Sequence, residues 1–153
     1  MKNVNLNDWL KSGWLIEHTT SPQEIADLLG VADRDIADCK APGLSPDWKL
    51  NIAYNAALQS ATAALAASGY RPSRDAHHYR VIQSLAYTLE AAPDLIAQFD
   101  MFRKKRNMGG YERAGMVSFQ EANEMVSLAL QLREDIEHWL IAHHPKLMQN
   151  RGA

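Results

Sequence analysis

A single cysteine stands in 153 residues, so no internal disulfide can form. Cys39, at helical spacing from Ile36, reads as a small buried apolar residue rather than a nucleophile. Long apolar runs are missing too. No stretch approaches the roughly 20 residues of a membrane helix, and Met1-Lys2-Asn3-Val4-Asn5 lacks the apolar run of a signal peptide. A cytoplasmic protein with no membrane partner is the expectation. Strong net charge is absent: at -2 the chain is no general nucleic-acid coat protein, although a local basic site remains open. No stretch alternates with a period of two and no Asn-Gly or Asp-Gly hairpin signal occurs, so the sequence predicts no strands.

Ligand spacings are lacking as well. His77-His78 and His143-His144 are adjacent pairs whose members diverge around a helix, and no His-x-x-x-His or Glu-x-x-His pair occurs. Glu137-His138 and Glu134-Asp135 diverge for the same reason. Neither a metal nor a cofactor is expected. Gly109-Gly110 has no strand before it and no Gly-Lys-Ser/Thr after it, which rules out a P-loop.

Helices, by contrast, are written clearly. Leu6, Trp9, Leu10, Trp14 and Leu15 form a short helical pattern weakened by Gly13. Ser21, Pro22 and Glu24 combine an N-cap, a first-position proline and a capping box, ahead of an apolar face of Ile25, Leu28, Leu29, Ala32, Ile36 and Cys39. Ser45-Pro46-Asp47 repeats the start signal, and an alanine-rich helix through Leu50, Tyr54, Leu58 and Leu65 runs to Ser68, with Gly69 as its stop. Ser73 is a cap candidate for a helix carrying His78, Val81, Ile82, Leu85, Ala86 and Leu89 inward and Asp75, Arg80 and Gln83 outward. Pro93 restarts a helix through Leu95, Ile96, Phe99 and Phe102. Ser118-Phe119-Gln120-Glu121 is another capping box, opening a final helix that ends at His143-His144-Pro145. The predicted fold is all-α: a helical extension over 1–44, an up-and-down four-helix bundle over 45–145 and a loosely held tail over 146–153.

The most distinctive stretch is Arg103-Lys104-Lys105-Arg106-Asn107-Met108-Gly109-Gly110-Tyr111. Without Arg103 to Arg106 the chain has 12 basic residues against 18 acidic, so this run is the main positive feature of an acidic body. The apolar row Leu95, Phe99, Phe102 continues at spacings of three and four into Arg103 and Arg106. Those two arginines are predicted to face inward and to need anionic partners, while Lys104 and Lys105 face water.

Tyr54-Asn55-Ala56-Ala57-Leu58, Ala64-Leu65, the turn Gly69-Tyr70-Arg71, His78, and then Arg103-x-x-Arg106-Asn107-x-x-x-Tyr111 resemble the HEPN superfamily in order and spacing, over roughly residues 45 to 142. The resemblance implies a four-helix bundle that dimerises through the helices bearing the Arg motif. It further implies a metal-independent ribonuclease of toxin–antitoxin or defence systems, paired with a nucleotidyltransferase antitoxin. Arg106 and Asn107 match the first two motif residues. Tyr111 stands where the family carries its catalytic histidine.

That departure is chemical. A histidine can take a proton near neutral pH, whereas a tyrosine with an ordinary pKa of about 10 is limited to donating, orienting or stacking. On the first reading the chain binds RNA or a nucleotide phosphate, as a divergent ribonuclease or as a binder. Arg103 and Arg106 hold phosphate, Asn107 orients, Tyr111 contacts base or ribose, and His77 or His78 substitutes as proton carrier. On the second it is a non-catalytic dimerisation or partner-binding bundle, with the arginines paired to acids such as Asp100 and Glu112. On the third the basic run is only a solvated helix end.

Overall fold

The computed structural model describes residues 5–108 and 117–149, with Asn107 and Met108 followed through the backbone only. Among these the chain is mostly helical: α1 (Leu6–Lys11), α2 (Pro22–Asp38), α3 (Pro46–Ala67), α4 (His77–Ser84), α5 (Pro93–Met108) and α6 (Phe119–His143), with a 3-10 turn at Pro145–Met148. No helix among the described residues is long and apolar enough to cross a membrane.

Helix starts follow local chemistry. Ser21, Ser45 and Ser118 each stand in extended conformation and accept the N3 backbone N–H, satisfying one of the donors a helix start leaves orphaned. Ser118 and Glu121 form the full reciprocal box. At α2 only half the expected box forms. Glu24 turns its carboxylate to the Thr20 hydroxyl and to His18 Nε2, the latter at 2.7 Å, instead of to the Ser21 N–H. Asn5 and Asp8 make a reciprocal box at α1 that the sequence reading did not anticipate.

Two expected helices are shorter than their patterns. Past Lys11 the chain turns at Gly13, whose φ of 80° favours glycine, and becomes strand β1 (Leu15–Glu17). Instead of a bare turn after α3, Tyr70–Pro72 forms β2, antiparallel to β1 with Leu15 opposite Pro72 and Glu17 opposite Tyr70. This ribbon corrects the strand-free expectation. It also takes Ser73 away from capping: both its N–H and its hydroxyl donate to the Trp14 carbonyl at 3.0 Å. Helix α4 therefore starts uncapped behind Ala76, in the left-handed region at φ 53°, and ends at Ser84, so that Leu85 to Leu89 are turns.

Helix α3 is the axis. The sequence offered one apolar face that included Ala53, Ala57, Ala61 and Ala64; Ala56, Ser60, Ala63 and Ala66 are buried as well, so the helix is enclosed well beyond that face. Small side chains let its neighbours approach closely, and its most extensive pairings are with α6 and α2. One hydrophobic cluster takes in Trp9, Leu15, Ile25 and Leu29 as well as Leu65, Phe99 and Ile136. The boundary expected at residue 44 thus falls in the loop between α2 and α3, while residues on both sides of it enter one core.

Polar clamps fix α2 on its neighbours. Asn55 Nδ2 on α3 donates to Asp35 Oδ2 at 2.7 Å, and the Arg133 fork on α6 holds Asp33 at 2.8 and 3.0 Å while its remaining nitrogen reaches Glu137 at 3.0 Å. The tail expected to be loose is ordered at its start, where Leu147 and Met148 pack against the core.

Candidate functional site

Helix α5 carries the basic run past the end of the core. Phe99 and Phe102 are fully buried; beyond them the same row of the helix holds Arg103 half-buried and Arg106 exposed. The inward direction of the two arginines survives as ring contacts. The Arg103 guanidinium carbon lies 5.5 Å from the Tyr79 ring, and that of Arg106 lies 5.1 Å from the Tyr54 ring.

The four cations are not equivalent. Arg103 Nε donates to Asp100 Oδ1 at 2.7 Å, so the anion it needs comes from its own helix one turn earlier. Lys104 reaches the second Asp100 oxygen at 3.7 Å with most of its side chain in solvent. Lys105, expected to face water, instead pairs with Glu121 on the first turn of α6. That bond, ahead of the Ser118 backbone N–H, holds the Glu121 carboxyl below its usual range. Among the described residues Arg106 pairs with no carboxylate.

Tyr54 and His78 stand beside Arg106. The Tyr54 ring is buried edge-on to Phe99 at 5.6 Å between centroids, and its hydroxyl lies 3.1 Å from His78 Nδ1. Burial pushes the Tyr54 phenol up to about 12, against the opposing pull of Arg106 and Arg103 and with a further push from Asp100. The phenol is therefore neutral at any working pH. Burial likewise holds the His78 imidazole below its usual range, and Arg106, His77 and Arg103 push in the same direction. A neutral imidazole that gives its Nδ1 proton to the Tyr54 oxygen keeps Nε2 free to accept another.

The structure thus brings together Arg103, Arg106 and His78 of the residues singled out from the sequence. The Asn107 side chain and Tyr111 lie outside the described residues, as do Gly109, Gly110 and Glu112. Tyr54 was visible as part of an apolar row and of a motif, but not as a partner of His78: it is 24 residues away, and no local spacing links them. Trp14, Tyr79 and Arg80 were missed. Arg80, read as an outward residue, lays its guanidinium 3.6 Å from the centre of the Trp14 ring, with Tyr79 at 5.5 Å and Trp9 at 5.8 Å.

No three His, Cys, Asp or Glu side chains converge as a metal site among the described residues. A groove of about 980 Å³ lined by Leu95, Gln98, Asn123, Ser127 and others from α5 and α6 shares no residue with the arginine–tyrosine–histidine cluster. It offers amide and hydroxyl groups together with the carboxylates of Asp94 and Glu124. Comparison with family models, with curated proteins and with solved structures finds no match to this chain.

Proposed function

We propose that this chain is a HEPN-like protein whose α3 to α6 correspond to that superfamily's four-helix bundle, and that it binds an RNA phosphate at Arg106. One observation carries the reading. Of four consecutive cations, Arg103, Lys104 and Lys105 reach carboxylates on the protein, and Arg106 is left exposed beside a tyrosine-held histidine kept neutral by burial. A guanidinium binds phosphate bidentately and stabilises charge that develops on it. His78 then stands in for the histidine that Tyr111 replaces, with Nε2 taking the proton of an attacking hydroxyl and no metal required. The toxin or defence role, the homodimer, the nucleotidyltransferase partner and the cytoplasmic setting belong to this reading.

Arg103 favours the second reading. Its bond to Asp100 offsets the charge it was expected to offer a phosphate, as in a bundle that binds a partner and cleaves nothing. Labelled RNA incubated with chelator separates the two. Cleavage by the wild type that is lost in Arg106→Ala and His78→Ala supports the nuclease. Binding without cleavage, weakened by Arg106→Ala with a salt slope smaller by about one, supports a phosphate binder. If wild type and Arg106→Ala bind equally and leave the RNA equally intact, the RNA reading fails.

A further inference from the structure

The arginines and rings of this face form a continuous strip. Trp14, on the turn before β1, is capped by Arg80 at 3.6 Å; Arg80 lies 5.5 Å from the Tyr79 ring; Tyr79 lies 5.5 Å from Arg103; Arg106 follows one turn later on α5, over Tyr54 at 5.1 Å. Guanidinium and aromatic ring alternate from Trp14 to Arg103, and Arg106 over Tyr54 extends the row. The two terminal cations, Arg80 and Arg106, pair with no described carboxylate, whereas Arg103 between them is neutralised by Asp100. The rings are not spent on the core: Trp14 is 39% and Tyr79 36% exposed, against 1% for Tyr54. Arg80 also leaves its buried Nε without a hydrogen-bond partner, with its guanidinium over the Trp14 ring and on no described carboxylate.

We propose that this strip is a track for single-stranded RNA, with unpaired bases stacking on Tyr79 and Trp14 and successive phosphates meeting Arg106 and Arg80. The proposal rests on the phosphate reading of Arg106 and extends it from one phosphate to a strand. Three features select this occupant. Free positive charge at both ends complements a polyanion. Exposed rings between and beside the charges offer stacking that a duplex, whose bases are already stacked, cannot use. An acidic peptide would satisfy the arginines but leave the rings idle.

The test compares binding of labelled oligouridylate, of uridine monophosphate and of the same RNA annealed to its complement, with polyglutamate as competitor. Trp14→Ala and Tyr79→Ala are expected to weaken oligouridylate binding by about 5- to 150-fold each while leaving the mononucleotide unchanged. Tyr79→Phe, which keeps the ring, is expected to bind as the wild type does. Trp14 packs edge-on against Trp9, so each variant is first checked for an unchanged melting transition; Tyr79→Ala carries the test if Trp14→Ala is unfolded. Oligouridylate binding untouched by Tyr79→Ala, duplex bound as tightly as single strand, or displacement by polyglutamate as effective as by unlabelled RNA each overturns the strip. Any of these with Arg106→Ala still weakening the mononucleotide leaves the phosphate site standing; no effect of Arg106→Ala on either ligand removes both.

Discussion

Removing the Tyr54 hydroxyl alone separates what the ring does from what the O–H does. In Tyr54→Phe the ring keeps its edge-on contact with Phe99 at 5.6 Å and its place under Arg106 at 5.1 Å, and only the 3.1 Å bond to His78 is lost. An intramolecular hydrogen bond contributes about 0.5–1.5 kcal/mol net, and His78 is half-buried, so water can serve its orphaned nitrogen and hold the cost near 1 kcal/mol. For a chain of this length that is a fall in Tm of about 2–4 °C. Tyr54→Ala deletes a ring that is 1% exposed, and core truncations of that size cost about 3–5 kcal/mol. Urea denaturation of the wild type and both variants gives the energies, and the RNA assay run on the same samples gives the function. Phe is expected to retain phosphate binding, because Arg106 and the ring remain, and to lose whatever cleavage depends on an oriented His78. The reasoning is refuted if Phe is as destabilised as Ala, or if Phe matches the wild type in stability, His78 titration and cleavage alike.

Two further perturbations test the scaffold and the titration. Arg133→Met removes a fork buried on α6 from a partly solvated Asp33, so it is expected to cost about 1–3 kcal/mol, between an exposed and a fully buried ion pair, and a urea midpoint equal to the wild type would show that the clamp is idle. Burial, with Arg106 beside His78 and His143 beside His144, holds both imidazoles below the ordinary 6.5. Below that value the unfolded chain takes protons the folded chain refuses, so the stability is full above about 6.5 and declines as pH falls, by at most ~1.4 kcal/mol per pH unit for each histidine. His78→Gln is expected to remove its share of that slope, and a stability unchanged between about pH 7.5 and 6 in the wild type would contradict the burial argument.

Signals confined to one turn were readable in the sequence. The serine caps, the prolines behind them and the apolar rows of α2, α5 and α6 are short-range, and the structure reproduces them. What the sequence hid depends on partners far along the chain. Ser73 has good cap chemistry, but the Trp14 carbonyl 59 residues away takes its donors. A three-residue strand is too short to display alternation, so β1 and β2 exist only through each other. In the basic run, periodicity predicted the row of Arg103 and Arg106 correctly as a direction. It failed as burial, because the core ends one turn before Arg106. Lys105 was misjudged because Glu121 reaches it from the following helix. Arg80, expected to face outward, is half-buried with its Nε enclosed, because Trp14 and Trp9 from the start of the chain meet it.

Tyr54 and Asn55 are consecutive on α3, and consecutive residues are set about 100° apart around a helix. One turns toward His78 and Arg106, the other toward Asp35 on α2. The Asn55–Asp35 bond therefore works as an index pin for the rotational phase of α3. The alanines on the remaining faces are small and nearly alike, so they add little to that rotational registration beyond what Leu50, Leu58 and Leu65 supply. A substitution at Asp35, which touches nothing on the phosphate-facing side, would loosen that phase and be felt as a misaimed tyrosine about 100° around the helix.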